Sequence, residues 1–255
     1  MSAGLLAQLR WAGLTHAGHA RRTNEDALAM IPARGVFAVF DGVGGAGVGD
    51  RGAQAAARGL ATDLEAATPA AYGGLAGLIR RRSDAMWQEA QRDPAQRGQG
   101  ATAAAAWFDD GGRLEIAHVG DSRVYRWRRG MLDILTEDHT LINQLAATQQ
   151  LSAAELEAFP YDNVIIRSIG LQESSIGAET RVTSWEAGDL YIICTDGMYR
   201  DTTHDLIARA LWRADTADVE NVAQALMGEV LAGAARDNIA LVVVMLTADA
   251  DKDQI

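Results

Sequence analysis

Residues 36–50 read VFAVFDGVGGAGVGD, and they decide how the rest of the chain folds. Val36–Phe40 is an unbroken apolar run of strand length, the pattern of a strand covered on both faces. Gln54–Leu64 behind it has helical spacing, within a helix expected over Gly52–Glu65. Asp41 is therefore delivered where a core strand ends. The glycines that follow allow the backbone to turn and another atom to come close.

Working upstream, Ala27–Ile31 reads as a strand and Pro32–Gly35 as a turn. If the two strands form a hairpin with Ile31 opposite Val36, then Asp26 lies opposite Asp41, with Glu25 beside them and Arg21 a few residues earlier. Leu9–Leu14 is a candidate first strand. Downstream, helices are expected over Gly52–Glu65 and Ala70–Gln91, then a strand of small residues at Ala101–Phe108. Asp109–Gly112 (DDGG) is a hairpin turn returning through Leu114–Val119 to Gly120-Asp121-Ser122-Arg123. Val124–Arg128 and Met131–Leu135 form a third hairpin. Leu190–Cys194 ends in Thr195-Asp196-Gly197, repeating the strand–Asp–Gly arrangement at Asp41. Helices at Thr203–Leu211 and Val219–Leu231 precede Asp237-Asn238 and a terminal strand, Ile239–Leu246. Antiparallel pairing of that strand with Leu190–Cys194 sets Asp237 beside Asp196.

Between Glu137 and Ala178 the pattern changes. Leu141–Thr148 reads as a short helix, Ser152-Ala-Ala-Glu155 as a capping box and Val164–Ile166 as a strand. Residues 137–178 are expected to form a small subdomain inserted at the sheet edge of a single domain spanning 1–255.

The chain has 255 residues, 48% hydrophobic and 22% charged, with a net charge of −11. These are values of a globular domain with a substantial core. The negative charge argues against nucleic-acid binding, which needs clustered Lys and Arg. A lone cysteine, Cys194 in a strand-like run, fits buried packing in a reducing compartment. Leu5–Leu14 is too short and too interrupted for a signal peptide, and Ile239–Leu246 is too short to span a bilayer. The expected location is cytoplasmic, without membrane insertion.

Asp26, Asp41, Asp196, Asp237 and Asp121 thus converge on one edge of a β-rich core. So many carboxylates are tolerated only with cations or protons between them. Oxygen donors suit Mg²⁺ or Mn²⁺, whereas zinc recruits His or Cys, and none of the five histidines has ligand spacing. Two such ions about 3.5–4 Å apart can activate a shared water and neutralise phosphoryl oxygens. Arg21 can hold a phosphate bidentately, with Arg22 as its competitor.

These motifs resemble, in order, those of the metal-dependent Ser/Thr protein phosphatases of the PPM (2C) type. Arg21-x-x-Asn24-Glu25-Asp26, Asp41-Gly42-x-Gly44-Gly45, Gly100-Ala101-Thr102-Ala103, Gly120-Asp121-Ser122-Arg123, Thr195-Asp196-Gly197 and Arg236-Asp237-Asn238 carry the resemblance. It implies an α+β fold, a four-layer α-β-β-α sandwich of two mainly antiparallel sheets, with residues 137–178 as a flap. It also implies a binuclear Mn²⁺ or Mg²⁺ centre. Asp41 would bridge both ions, the Gly42 carbonyl would ligate one, and Asp196 and Asp237 would complete a shell. Asp26, with Glu25, would orient water, and Arg21 would hold the phosphate. Asp121 would join Asp196 at a weaker third ion, as in compact bacterial members. The implied reaction is hydrolysis of phosphoserine and phosphothreonine in a protein, opposing a Ser/Thr kinase, by a monomer. Where larger members carry a His after Asp-Gly, this chain has Val43, leaving His19 or a bound water to protonate the leaving group.

Two other readings stand beside this one. Gly42-x-Gly44-x-x-Gly47 superficially matches a dinucleotide fingerprint, but Asp41 would face the pyrophosphate and Asp63 falls inside a helix. A catalytically inactive relative serving as a binding module would need a missing ligand, and the main acids are all present.

Overall fold

The computed structural model describes residues 8–44, 49–148, 152, 155–156, 158–161, 163–171 and 177–247. One sheet contains β1 (Leu9–His16), β7 (Arg123–Arg128), β8 (Met131–Ile134), β10 (Leu190–Cys194) and β11 (Ile239–Leu246), in the spatial order β1-β11-β10-β7-β8. The other contains β2 (Asp26–Ile31), β3 (Val36–Val43), β5 (Ala103–Phe108), β6 (Arg113–Val119) and β9 (Glu179–Ser184), ordered β2-β3-β5-β6-β9. A two-residue strand, β4 (Gly100–Ala101), pairs with the end of β3. All of these strand pairings are antiparallel.

Strand alternation explains the layering. Val36, Ala38 and Phe40 of β3 pack with α1 (Gly49–Ala66) and α2 (Leu75–Arg92). Phe37 and Val39 point the other way, into a layer shared with Tyr191, Ile193, Val242 and Val244 of the opposite sheet. On β11, Ile239, Leu241 and Val243 face α4 (His204–Arg213) and α5 (Val219–Leu231). The order is helices, sheet, sheet, helices, the expected α-β-β-α sandwich. It accounts for the apolar runs at 36–40 and 239–246, because β3 and β11 are covered on both sides. Each large side chain buried there contributes roughly 1.5–3 kcal/mol.

Some local expectations are corrected. The helix expected over Ala70–Gln91 is two pieces, a 3₁₀ turn at Pro69–Tyr72 and then α2. Gly73 and Gly74 separate them at φ 80° and 94°, values that cannot continue a right-handed helix. The Glu115 carboxylate of β6 accepts the Leu75 N–H at 2.7 Å and so satisfies the start of α2. The strand expected at Ala101–Phe108 breaks at Thr102, which serves the site below. In the 137–178 segment, α3 (Leu141–Ala147) is capped by the Thr140 hydroxyl. The Ser152 N–H reaches Glu155 Oε2 at 2.8 Å, as the capping box requires. Val164–Ile166 is not a strand: Ile165 makes a single bridge to Thr140, flanked by the Leu141 N–H to Val164 carbonyl and Ile166 N–H to His139 carbonyl bonds, and the partner run then turns into α3, which ends the pairing. The expected strand–turn–helix connection at 45–48 and the tail after 247 lie outside the described residues.

Candidate metal centre

The β2–β3 hairpin turns through Pro32–Arg34 and closes on Gly35 at φ 66°. Its register sets Ile31 opposite Val36 and therefore Asp26 opposite Asp41. Asp26 is buried, and its Oδ2 accepts the Thr195 hydroxyl at 2.8 Å. Its Oδ1 is buried with no hydrogen-bonding partner among the described residues. Asp41 is held by its backbone: its N–H donates to the Thr102 hydroxyl at 3.1 Å and its carbonyl accepts the Thr102 N–H at 2.8 Å. The break in the β4–β5 region exists to make these bonds, and Ser122 Oγ, 2.7 Å from Thr102 Oγ1, supports them.

The opposite sheet supplies the other acids. Asp196 opens a 3₁₀ turn directly after β10, and Asp237 precedes β11, antiparallel to it. Gly197 lies against the Asn238 carbonyl with no room for a Cβ. Asn238 is a clip between the strand end and the 17–25 loop. Its Oδ1 accepts the Glu25 N–H, and its Nδ2 donates to the Ala17 and Thr23 carbonyls, each at 2.9 Å. That loop carries Arg21, whose guanidinium is 2.8 Å from Asp237 and half exposed. The Gly42 N–H donates to the Glu25 carbonyl at 3.1 Å, and a Cβ at Gly42 would collide with the Gly49 carbonyl. A Cβ at Gly49 would in turn meet Glu25 Oε2, which sets that carboxylate at the β3–α1 junction.

Electrostatics follow from this crowding. Burial raises Asp26 and Asp41 well above the usual carboxylate range, and neighbouring acids raise them further, against the Thr195 hydrogen bond at Asp26. Burial likewise raises Asp196, opposed by Arg200. Asp121 is pushed up to about 6 by burial and by the Asp196 charge. The cluster thus holds protons that a cation would displace. Hard carboxylate oxygens, an unpartnered buried Oδ1 and the backbone carbonyl of Gly42, at a strand end too crowded for a Cβ, suit Mg²⁺ or Mn²⁺.

All the acids singled out in the sequence lie around this edge. His19 does not: its Nε2 is 2.9 Å from the Leu231 carbonyl at the end of α5, so it is not aimed at the acids. Four residues of the cluster have no role that the sequence reading assigns: Thr102, Thr195 and Asn238, which lie inside the motifs and position acids, and Arg200, which lies outside them. Arg200 Nη2 is 2.9 Å from Asp121 Oδ2, and its Nε pairs with Asp196. Its i,i+4 spacing from Asp196 is the one signal that could have found it.

The fold also joins His118, His139 and Glu179, whose ligand atoms lie within 4.8 Å of one another although sequence spacing offered no hint. Their other bonds disfavour a cation. The Gly120 N–H donates to His139 Nδ1 at 3.1 Å, and the Arg167 guanidinium is 3.4 Å from His139 Nε2.

A family model described as protein phosphatase 2C matches residues 13–232. The chain belongs to the protein phosphatase 2C family. Among its 2C-type relatives is the serine/threonine protein phosphatase PstP of Mycobacterium tuberculosis, 30% identical over 92% of this chain. The chain spans 44% of the length of that relative. The Listeria monocytogenes serine/threonine phosphatase stp is 29% identical, covering 72% of this chain and 75% of its own length. The catalytic domain of PstP, solved with two manganese ions, superposes with a TM-score of 0.80 at 27% identity, covering 94% and 99% of the two chains. PppA of Pseudomonas aeruginosa, described as a regulatory component of the type VI secretion system (T6SS), superposes at 0.78 with 26% identity over 93% and 97%. As a 2C-family member the chain has the α+β sandwich expected of it. No helix among the described residues is long and apolar enough to cross a membrane.

Proposed function

We propose that this chain is a divalent-metal-dependent Ser/Thr protein phosphatase, acting as a monomer on phosphoproteins in the cytoplasm and opposing a Ser/Thr kinase. The observation that carries this reading is the pairing of Asp26 with Asp41 at one sheet's edge, facing Asp196 and Asp237 from the other. Asp41, the Gly42 carbonyl, Asp196 and Asp237 would hold two Mn²⁺ or Mg²⁺ ions, with Glu25 in the outer shell. When bound, such ions supply an acidified water and neutralise phosphoryl oxygens.

The chain's own residues do the rest. Asp26, fixed by Thr195 through Oδ2, keeps Oδ1 unpartnered among the described residues and can accept and orient a water proton in the cluster. Arg21 projects from a loop clipped by Asn238, half exposed, with a planar donor set suited to an incoming phosphate monoester. With Val43 after Asp41-Gly42 and His19 turned to α5, no side chain among the described residues stands ready as the leaving-group acid, and water supplies that proton in this reading. The described residues of the 137–178 segment belong to the flap, whose role in this reading is to shape access for the phosphopeptide.

The test is hydrolysis of p-nitrophenyl phosphate and of a phosphothreonyl peptide with Mn²⁺ and then with chelator. Turnover in manganese that the chelator abolishes supports the reading. An inactive protein that nevertheless takes up manganese would favour the binding-module alternative.

A further inference from the structure

Asp121 lies in the turn before β7 and Asp196 in the 3₁₀ turn after β10, at the ends of two paired strands of one sheet, and both side chains are buried. Two buried carboxylates side by side need a positive charge between them. The chain supplies one itself. Arg200 follows the 3₁₀ turn at Asp196–Met198, and its N–H donates to the Asp196 carbonyl at 2.9 Å. Its guanidinium then reaches both acids, Nη2 to Asp121 at 2.9 Å and Nε to Asp196.

The arrangement is fastened from several sides. The neighbouring Tyr199 hydroxyl donates to the Asp121 carbonyl at 2.7 Å, tying the two loops together. Arg123 covers the Tyr199 ring at 3.6 Å while its fork grips Asp138 at 2.8 and 2.6 Å. A guanidinium is weakly hydrated, planar and always charged, so it suits a half-buried bridging role better than an ammonium would. Its donors occupy one carboxylate oxygen of each acid, and its charge repels a further cation at the pair.

We propose that Arg200 is a built-in cation at the Asp121–Asp196 pair and that it limits this centre to two divalent ions. The inference rests on the phosphatase reading above. It makes Arg200 a positioning residue: by holding Asp196 Oδ2 it leaves the other oxygen for the shared centre with Asp41. The third-ion site that the family resemblance implies at Asp121 is, in this chain, a salt bridge.

The experiment is anomalous diffraction at the manganese edge from crystals of the wild-type protein soaked in MnCl₂, with bound manganese counted in solution after equilibrium dialysis. Two ions near Asp41, Asp196 and Asp237, with Arg200 still spanning Asp121 and Asp196, is the expected result. A third ion between Asp121 and Asp196, with Arg200 displaced, overturns the proposal and leaves the phosphatase reading intact. No ion at all overturns the phosphatase reading itself. Arg200→Ala should raise the count from two to three per chain, and adding Asp121→Asn should return it to two. An Arg200→Ala protein that stays at two counts against the proposal. If that variant does not fold, the wild-type ion count still decides.

Discussion

Stripping the divalent ions should reverse the pH dependence of stability. Unfolded aspartates titrate near 3.8, whereas folded Asp26, Asp41, Asp121 and Asp196 keep their protons to higher pH. Between those values the native chain binds more protons than the unfolded one, so unfolding free energy falls as pH rises. The contribution is complete below about 3.8 and is lost as pH climbs through the folded values. For Asp121 alone, a rise from 3.8 to about 6 corresponds to roughly 3 kcal/mol. Across the whole titration that is a drop in Tm on the order of 6–12 °C for a chain of this size, roughly half of it above pH 5. The other three acids add in the same direction. Bound ions invert the slope, because protons compete with metal for the same oxygens. His139, lowered mainly by burial, titrates with the opposite sign, but it is common to both conditions and cancels in the comparison. Circular dichroism melts at pH 5, 6, 7 and 8, in chelator and in saturating Mn²⁺, would measure this. The expected curves diverge, with Tm falling with pH in chelator and level or rising in manganese. Parallel curves, or a chelated protein that gains stability toward pH 8, would refute the electrostatic reasoning.

Other consequences can be checked by mutation. Asn238→Ala removes three hydrogen bonds that clip the 17–25 loop, so urea unfolding should show a loss of about 2–4 kcal/mol, with KM raised as Arg21 loses its station. Unchanged stability would mean the loop is held by other means. Gly42→Ala has no space beside the Gly49 carbonyl and should abolish metal binding while Asp41 remains, read by calorimetric Mn²⁺ titration; normal binding would show that the β3–α1 junction adapts. Arg21→Ala should raise KM for a phosphopeptide roughly 10–100-fold with a smaller effect on kcat, and Arg21→Lys should recover part of it. Equal losses in kcat and kcat/KM would instead assign Arg21 to the transition state.

The acidic edge was legible because its causes are local. Strand alternation with a turn at Pro32–Gly35 fixes one register, and that register alone brings Asp26 to Asp41. The same logic at Leu190–Cys194 and Ile239–Leu246 joins Asp196 to Asp237. What escaped depends on three-dimensional closure. Asn238 bonds across more than 200 positions to a loop with no pattern of its own. His118 and His139 stack at 4.6 Å only because the end of β6 meets the loop after β8. The split before α2 turns on backbone angles at Gly73 and Gly74 that helical spacing does not encode. Val164–Ile166 shows the limit of short apolar runs, which strands and loops share.

The central claim is that these acids tolerate one another because hard cations sit among them. Its most direct measurement is Mn²⁺ uptake, followed by the loss of the free-ion electron paramagnetic resonance signal, in wild-type protein and in Asp41→Asn. Wild type should deplete the free ion, and the folded variant should leave it largely in solution. A wild-type protein that takes up no manganese, or a variant that takes up as much, would contradict the account.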